Sequence, residues 1–225
     1  MRTLQKLTQR FCLGALAALT FGSALAADPG VTNEKLVLGA VIPLSGPPSI
    51  IGKAIATTLK VWEQDVNSRG GIGGRKVDIR IEDDGYVPQR SVQSLKKLID
   101  VDQVFGLIAV SGSSQLVAML PIIDEQKIPA INHIAVNSAH FNPPHKTLFN
   151  IGATYCQAVS ASMKHLVTTQ KLQGSKFALI FQEDDYGTDV KCGYDLALKE
   201  LGLKSVIEVP YKRGAKDFSA EVLSV

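Results

Sequence analysis

Serines at the end of an apolar run are the residues that first suggest chemistry. The stretch LIAVSGSSQL puts Ser113 and Ser114 after a strand-like segment and before one with helical spacing. A serine there could act as a nucleophile, cradle a phosphate or hold a small ligand. The nucleophile motif G-x-S-x-G is absent, and nothing beyond residue type nominates a partner histidine. A helix start offers free N–H groups and partial positive charge, so we predict a carboxylate-binding corner, with a serine acting only as an N-cap as the alternative.

Two other polar loops are less suited to chemistry. The loop after the first strand resembles a phosphate loop, but its glycines are one residue too far apart and Ala54 stands where a hydroxyl is needed. The acidic run 82–84 lacks the alternating spacing of a calcium loop. We expect these acids to cap the next helix and to face water near a cleft. Neither a metal nor a cofactor is predicted.

The elements that must position these loops alternate regularly. Apolar runs such as 35–44 predict buried strands, and segments such as 51–66 have helical spacing. This alternation predicts a doubly wound parallel α/β sheet with helices on both faces. A polar loop around 137–153 divides the chain into four β-α units and a shorter second group. Because such sheets bind ligands at the carboxyl ends of their strands, the loops after the strands are the candidate site.

The N-terminal segment 1–26 predicts a signal peptide. Three basic residues precede a short apolar run at 13–25, and Ala24-Leu25-Ala26 fits a cleavage site. The run is too short to span a bilayer comfortably, and a single membrane anchor is the alternative. The three leader cations account for the net charge of +3, since 24 Lys and Arg face 21 Asp and Glu overall. The processed chain would be neutral, so its charge does not point to nucleic acid or a membrane surface. We expect no nucleic-acid partner and, since no later stretch is long and apolar enough to span a bilayer, no stable membrane insertion.

Cys156 and Cys192 are the cysteines outside this leader. Export permits a disulfide between them, and two buried free thiols are the alternative. No Cys-x-x-Cys or Cys/His spacing suggests a metal site, and the four histidines are scattered.

Several loops, taken in order, resemble a known family. LVLGAVIPLSGPPSIIGKA, VNSRGGIGGRKVDIRIEDD, EDDYGTD and KDFSAEV occur in the order found in periplasmic substrate-binding proteins of branched-chain amino acid ABC transporters, the leucine/isoleucine/valine type. The resemblance covers 35–225 and is sharpest at Asn67 to Lys76. It implies the type I periplasmic-binding-protein fold, in which two α/β lobes close on a small ligand and dock on a membrane permease.

The resemblance and the dividing loop together predict the domain organisation. We expect a signal peptide at 1–26, a complete first lobe at 27–150 and an incomplete second lobe at 151–225. A two-lobe receptor needs roughly 300 residues or more, so we expect this chain to be C-terminally shortened. The second lobe should then expose strand edges and apolar faces.

The resemblance also implies site residues. The serine at Ser113 binds the ligand carboxylate, the segment after the fourth strand contacts an amino group, and a tyrosine reaches in from the second lobe. Val136 lacks the hydroxyl that would serve an ammonium, and Ile51 stands where an aromatic is common. Both departures make the pocket more apolar and favour a carboxylate with little or no amino character over leucine. The expected ligand-binding residues are Ser113, Ser114, Ile51, Ile134, Ala135, Val136 and Tyr186.

These features predict an exported, periplasmic solute-binding receptor. It would capture a small carboxylate or amino-acid-like ligand between its lobes and deliver it to an ABC-transporter permease. The alternative is a ligand-sensing receptor of the same fold that feeds a signalling or regulatory partner. An enzyme is not expected, because the sequence offers no acid–base constellation.

Overall fold

Strands and helices alternate through the chain as the sequence pattern predicts. A computed structural model describes residues 28–132 and 134–225, so the predicted signal peptide at 1–26 lies outside the described residues. The strands are β1 (Lys35–Ile42), β2 (Lys76–Asp83), β3 (Gly106–Val110), β4 (Ala130–Asn132), β5 (Leu148–Asn150), β6 (Phe177–Gln182) and β7 (Ser205–Tyr211). The helices are α1 (Ser49–Ser68), α2 (Pro88–Asp100), α3 (Ser113–Gln126), α4 (Tyr155–Thr169), α5 (Asp185–Leu201) and α6 (Ser219–Leu223), with a 3₁₀ turn at Ser138–His140.

Five parallel strands form the first sheet, in the order β2-β1-β3-β4-β5. This confirms the predicted parallel α/β sheet. The strand β1 is central, and its last three residues, Ala40 to Ile42, are fully buried. Because β1 pairs with both β2 and β3, the chain winds outward from it in both directions. The crevice at the carboxyl end of such a switch point is where doubly wound sheets hold their ligands.

Helices cover the two faces of this sheet unequally. Helices α2 and α3 pack on one face through Leu98, Leu116 and Met119, which contact buried residues of β1 and β3. Helix α1 covers β1 and β2 on the other face through Leu59. Alternation along β4 and β5 turns Ile131 and Phe149 toward that second face. They are register partners, 41% and 57% exposed, so the described residues cover this end of the sheet only in part.

The strands β6 and β7 form a separate two-stranded parallel sheet beside the helix pair α4 and α5. A disulfide joins Cys156 in α4 to Cys192 in α5, with their Cα atoms 5.2 Å apart. The chain therefore has the disulfide rather than two free thiols. Gly193 permits this close packing, since a Cβ there would lie 2.4 Å from the carbonyl oxygen of Cys156. The domain boundary at residue 150 stays a prediction.

Element ends differ from the sequence expectation by a few residues. The first strand ends at Ile42 because Pro43 follows it, whereas the apolar run continues to residue 44. None of the helices in the described parts of the chain has the length and apolar character needed to cross a membrane.

Candidate functional site

A cavity of about 350 Å³ lies at the carboxyl ends of β1 to β4. Its volume falls within the range of small-molecule sites. The loops after four strands of the first sheet form one side, and the starts of α4 and α5 form the other. The lining residues are Pro48, Ile51, Tyr86, Ser111, Gly112, Ser113, Ile134, Tyr155 and Tyr186.

The start of α3 forms one corner of this cavity. Gly112 adopts a φ of 104°, which favours glycine, and a Cβ there would lie 2.2 Å from Oε1 of Gln115. Gly112 is the N-cap, and no side chain caps the helix. The alternative, in which Ser113 or Ser114 is the N-cap of α3, is therefore wrong, because both residues lie inside the first turn. The N–H groups of that turn have no side-chain cap, which suits an anion.

Two buried polar side chains at this corner lack a partner. Ser113 is 2% exposed and lines the cavity. Its Oγ lies beside the Tyr155 hydroxyl, which donates instead to Ile134, and it makes no hydrogen bond of ordinary geometry to the described residues. The amide of Gln115, two residues further along, is also unpartnered, but it is fully buried and does not line the cavity, so only Ser113 can meet a bound molecule. Buried polar groups are nearly always hydrogen-bonded, and leaving one unpaired costs about 1–3 kcal/mol. The corner is therefore arranged to receive polar atoms from a bound molecule.

Aromatic side chains form the opposite wall. The hydroxyl of Tyr155 donates to the carbonyl of Ile134 at 2.8 Å. The rings of Tyr155 and Tyr186 meet edge to face, with centroids 4.9 Å apart. Burial raises the pKa values of Tyr86 and Tyr155, so both phenols stay neutral at physiological pH. The wall offers aromatic surface without charge.

The carbonyls after β4 are already engaged. Besides the bond from Tyr155 to Ile134, the carbonyl of Ala135 accepts from Asn132 Nδ2 at 2.8 Å, and that of Val136 accepts from the Tyr155 N–H at 3.0 Å. Ala135 itself is fully buried. These three carbonyls are the groups expected to contact a ligand's amino group, and each one already holds a donor from the protein.

The acidic turn after β2 positions Tyr86, which lines the cavity. Asp83 accepts from the N–H and Oγ of Ser45, at 3.1 and 2.6 Å. Asp84 accepts from Ser91 Oγ at 2.7 Å and from the N–H of Tyr86 at 2.8 Å, which holds Tyr86 at a φ of 64°. The expectation that these acids face water is wrong for Asp84, which is fully buried because the turn folds it under α2.

An arginine from the second sheet unit closes the rim. Nη2 of Arg213, just after β7, donates to Ser114 Oγ at 2.7 Å and to Asp184 Oδ2 at 2.5 Å. Its guanidinium lies 4.8 Å from the ring centroid of Tyr86. Ser114 therefore contacts Arg213 rather than the cavity. This bridge links α3 of the first unit to the loop before α5.

A group with metal-ligand chemistry lies away from the cavity. The sulfurs of Cys156 and Cys192 and a carboxylate oxygen of Asp189 lie within 4.8 Å of one another. Both sulfurs belong to the disulfide, however, and Asp189 accepts the N–H groups of Ser138 and Cys156 at 3.1 and 3.2 Å. The group therefore joins helices rather than offering free ligands.

The structure brings together some of the predicted site residues and separates others. The cavity is lined by Ile51, Ser113, Ile134 and Tyr186. It is not lined by Ser114, Ala135 or Val136. Lining or rim residues that sequence reasoning did not identify are Pro48, Tyr86, Ser111, Gly112, Tyr155 and Arg213. Tyr86 and Tyr155 could have been found from the sequence. Tyr86 lies in the acidic turn after one predicted strand, and Tyr155 begins the helix that follows another.

Comparisons with known proteins identify the family of the chain. The profile described as periplasmic binding protein matches residues 35–225. The Leu/Ile/Val-binding protein homolog 7 of Brucella suis biovar 1 (strain 1330) is 23% identical over 209 residues, covering 90% of this chain and 52% of that protein. The Leu/Ile/Val-binding protein homolog 1 of Brucella abortus (strain 2308) is 28% identical over 211 residues, covering 92% and 53%.

A solved structure extends the likeness to three dimensions. The fatty acid ABC transporter substrate-binding protein from Thermomonospora curvata has a TM-score of 0.77 and 27% identity, covering 87% of this chain and 49% of that one. The chain spans about half the length of the curated relatives it matches.

Proposed function

The chain belongs to the periplasmic binding protein family, and from that premise we propose that it captures a small organic carboxylate with an apolar or aromatic body. The ligand would lie in the cavity at the carboxyl ends of β1 to β4. The observation that carries this proposal is the Oγ of Ser113, which is buried, unpartnered and at the cavity wall.

The start of α3 supports the carboxylate. The uncapped first turn directs partial positive charge and free N–H groups toward the corner that Ser113 lines. A carboxylate accepts several hydrogen bonds at once, so it can satisfy the serine hydroxyl together with backbone N–H groups.

The remaining walls support a ligand body without an ammonium group. Pro48, Ile51 and Ile134 are apolar, and the tyrosines offer ring surface. No Asp or Glu lines the described cavity, and the nearby carboxylate of Asp184 is already paired with Arg213. Of the carbonyls after β4, only that of Ile134 belongs to a residue that lines the cavity, and it accepts from the Tyr155 hydroxyl. A fatty acid is named for the relative with 27% identity, and such a ligand has this same character.

We further propose that capture in the periplasm serves delivery to an ABC-transporter permease. The cavity takes walls from both sheet units, with Tyr186 from the second and Ser113 from the first. A ligand that contacts both units would hold them together, and a permease could read that closed state. The bridge from Arg213 to Ser114 would form part of the closed rim.

Calorimetric titration of the exported chain tests the proposed ligand class. We expect benzoate or octanoate to bind and leucine to bind more weakly or not at all. The substitution Ser113→Ala should weaken carboxylate binding by about 10- to 100-fold, as expected for a hydrogen bond to a charged group.

Ser160 provides a matched control for this experiment. Its Oγ is also buried and unpartnered, but it lies in α4 and does not line the cavity. Ser160→Ala should leave carboxylate affinity unchanged. Tight binding of leucine without any response to simple carboxylates would contradict the proposal, as would equal affinities for the wild type and Ser113→Ala.

A further inference from the structure

A fully buried histidine lies directly behind the serine corner. His140, at the end of the 3₁₀ turn, places Nδ1 2.6 Å from the carbonyl oxygen of Ala135 and Nε2 3.3 Å from that of Ser113. The ring therefore connects the start of α3 with the loop after β4. Both of these segments contribute to the cavity wall, through Ser113 and Ile134.

The two carbonyls require more protons than a neutral imidazole carries. A neutral ring has one N–H, whereas two carbonyl oxygens accept hydrogen bonds and donate none. Asn132 Nδ2 lies 3.4 Å from Nδ1, but its two N–H groups are used by Ala135 at 2.8 Å and by Asn150 Oδ1 at 2.7 Å. Nδ1 therefore carries the proton and donates to Ala135, which leaves the Nε2 lone pair facing the carbonyl of Ser113.

The charge environment of His140 is sparse. Asn132 in β4, Asn150 in β5 and the carbonyls of α3 and the β4 loop are neutral. Among the described residues, the groups that act on the ring by charge include Asp185 at the start of α5, which favours the protonated form, and His145, which opposes it. Burial is the largest effect and lowers the pKa of His140. The ring is therefore neutral near pH 7.

We propose that His140 is a positioning residue for the carboxylate corner and makes ligand binding tighter as the pH falls. This inference rests on the proposed function. A proton taken up from solvent at Nε2 lets the ring donate to Ser113 as well as to Ala135, and it adds positive charge beside the bound carboxylate. Because coupling between two sites is reciprocal, a ligand that favours the protonated ring binds more tightly when the ring is protonated.

Nitrogen NMR of the histidine rings tests the positioning role directly. In the ligand-free chain we expect the Nδ1–H form at pH 7.5, with Nε2 taking up a proton as the pH falls toward 4.5. The amide resonances of Ser113 and Ser114 should shift with that same midpoint. Two results would overturn the proposal. One is an Nε2–H form at pH 7.5, and the other is a set of amide resonances at the start of α3 that do not shift with the His140 titration.

Ligand titrations across pH test the coupling. With benzoate as the probe, which stays mostly ionised above pH 5.5 as a simple carboxylate does, we expect binding to tighten as the pH falls from 7.5 to 5.5, and the effect should approach a limit of about fivefold below the His140 midpoint measured by NMR, the low end of typical couplings. His140→Asn retains an amide donor near Nδ1, and His140→Gln retains one near Nε2. Both should abolish the pH dependence, and His140→Asn should retain more of the affinity at pH 7.5.

His165 serves as the matched control, since it is an exposed histidine of α4. His165→Asn should leave the pH dependence of benzoate binding intact. If both His140 variants retain the wild-type slope, the coupling is refuted. If benzoate does not bind at all, the proposed function fails, and the ligand-free NMR titration still decides whether His140 positions the start of α3. If the variants do not fold, the NMR titration of the wild type alone decides whether His140 positions the start of α3.

Discussion

Two adjacent carboxylates in the turn after β2 have pKa values displaced in opposite directions. Burial works against ionisation of Asp83, but hydrogen bonds from Ser45, Gly85 and Leu44 outweigh it and lower its pKa to about 2. Burial dominates for Asp84 and raises its pKa, although Ser91 and the N–H of Tyr86 act in the other direction. Asp83 thus anchors the loop before α1 as an anion, while Asp84 supports the turn that carries Tyr86.

At the residue scale we predict that Asp83 contributes to acid stability. Its pKa lies below the ordinary Asp value of 3.8, so its contribution is complete above pH 3.8 and is lost as the pH falls toward about 2. Asp83→Asn should lower the free energy of unfolding at pH 7 and remove this part of the pH dependence. Denaturant titrations between pH 2 and 7 would measure it.

Asp100 offers a control for this prediction, because it lies at the end of α2, away from the turn. Asp100→Asn should leave the acid limb of the stability profile as in the wild type. An unchanged acid limb in Asp83→Asn would contradict the role of the Ser45 hydrogen bonds.

The residue pattern identified Ser113 as a cavity residue, but it did not show that Ser114 contacts Arg213 instead. Successive residues on a helix point about 100° apart, so Ser113 and Ser114 cannot both face one cavity. The sequence does not reveal which of them turns inward, since that depends on how Gly112 leaves the strand. The partner of Ser114 is Arg213, 99 residues away, and no local pattern relates the two.

At the scale of elements, the pair α4 and α5 is held by more than packing. The disulfide joins residues 36 positions apart, and Asp189 of α5 accepts the N–H of Cys156 at the start of α4. Constraining a chain segment of this length in the unfolded state contributes roughly 3–4 kcal/mol.

We therefore predict that reduction destabilises this part of the chain. Cys192 is exposed, so a reductant can reach the bond. The double variant Cys156→Ala, Cys192→Ala should lose roughly 2–4 kcal/mol of unfolding free energy, measured by chemical denaturation. The variant should also become insensitive to dithiothreitol, while the wild type in dithiothreitol should approach it. Equal stability of the oxidised and reduced wild type would contradict the prediction.

Element type could be predicted from the sequence more fully than element arrangement. Alternating residues in β2, such as Val77 and Ile79, and the helical spacing of α1 identify both elements, because burial on one face produces those periods. The carboxyl-end rule then located the cavity. Tyr186 of the tyrosine wall was predicted, but Tyr155 was missed because it begins a helix of the second group and its approach to Ile134 depends on the path of the crossing chain.

At the scale of the whole molecule, one face of the first sheet remains apolar and open. Ile131, Phe149 and Ile151 are 41%, 57% and 58% exposed, and β5 is an edge strand of the sheet. Exposed apolar surface beside an unpaired strand edge promotes association.

We predict that the chain self-associates through this face. Phe149→Lys should shift the chain toward monomer in sedimentation velocity experiments at micromolar concentration. Val61→Lys is the control, because Val61 is 59% exposed on α1, away from β5. A wild-type chain that is monomeric across the concentration range, or a Val61→Lys variant that dissociates equally, would contradict the role of the face.

The uncapped start of α3 has a consequence for ligand discrimination. The buried Oγ of Ser113 lines the cavity and has no hydrogen-bond partner among the described residues, so a molecule that fills the corner must either supply that hydrogen bond or leave the hydroxyl unpaired. Under the proposed function a carboxylate accepts a hydrogen bond from Ser113, whereas an apolar analogue of equal shape excludes water from the corner and leaves the hydroxyl unpaired. Sites built this way reject the deficient analogue more strongly than an apolar pocket rejects a missing methylene. Under the proposed function, selectivity would come first from the hydrogen-bonding requirement of Ser113 and then from the shape of the tyrosine wall.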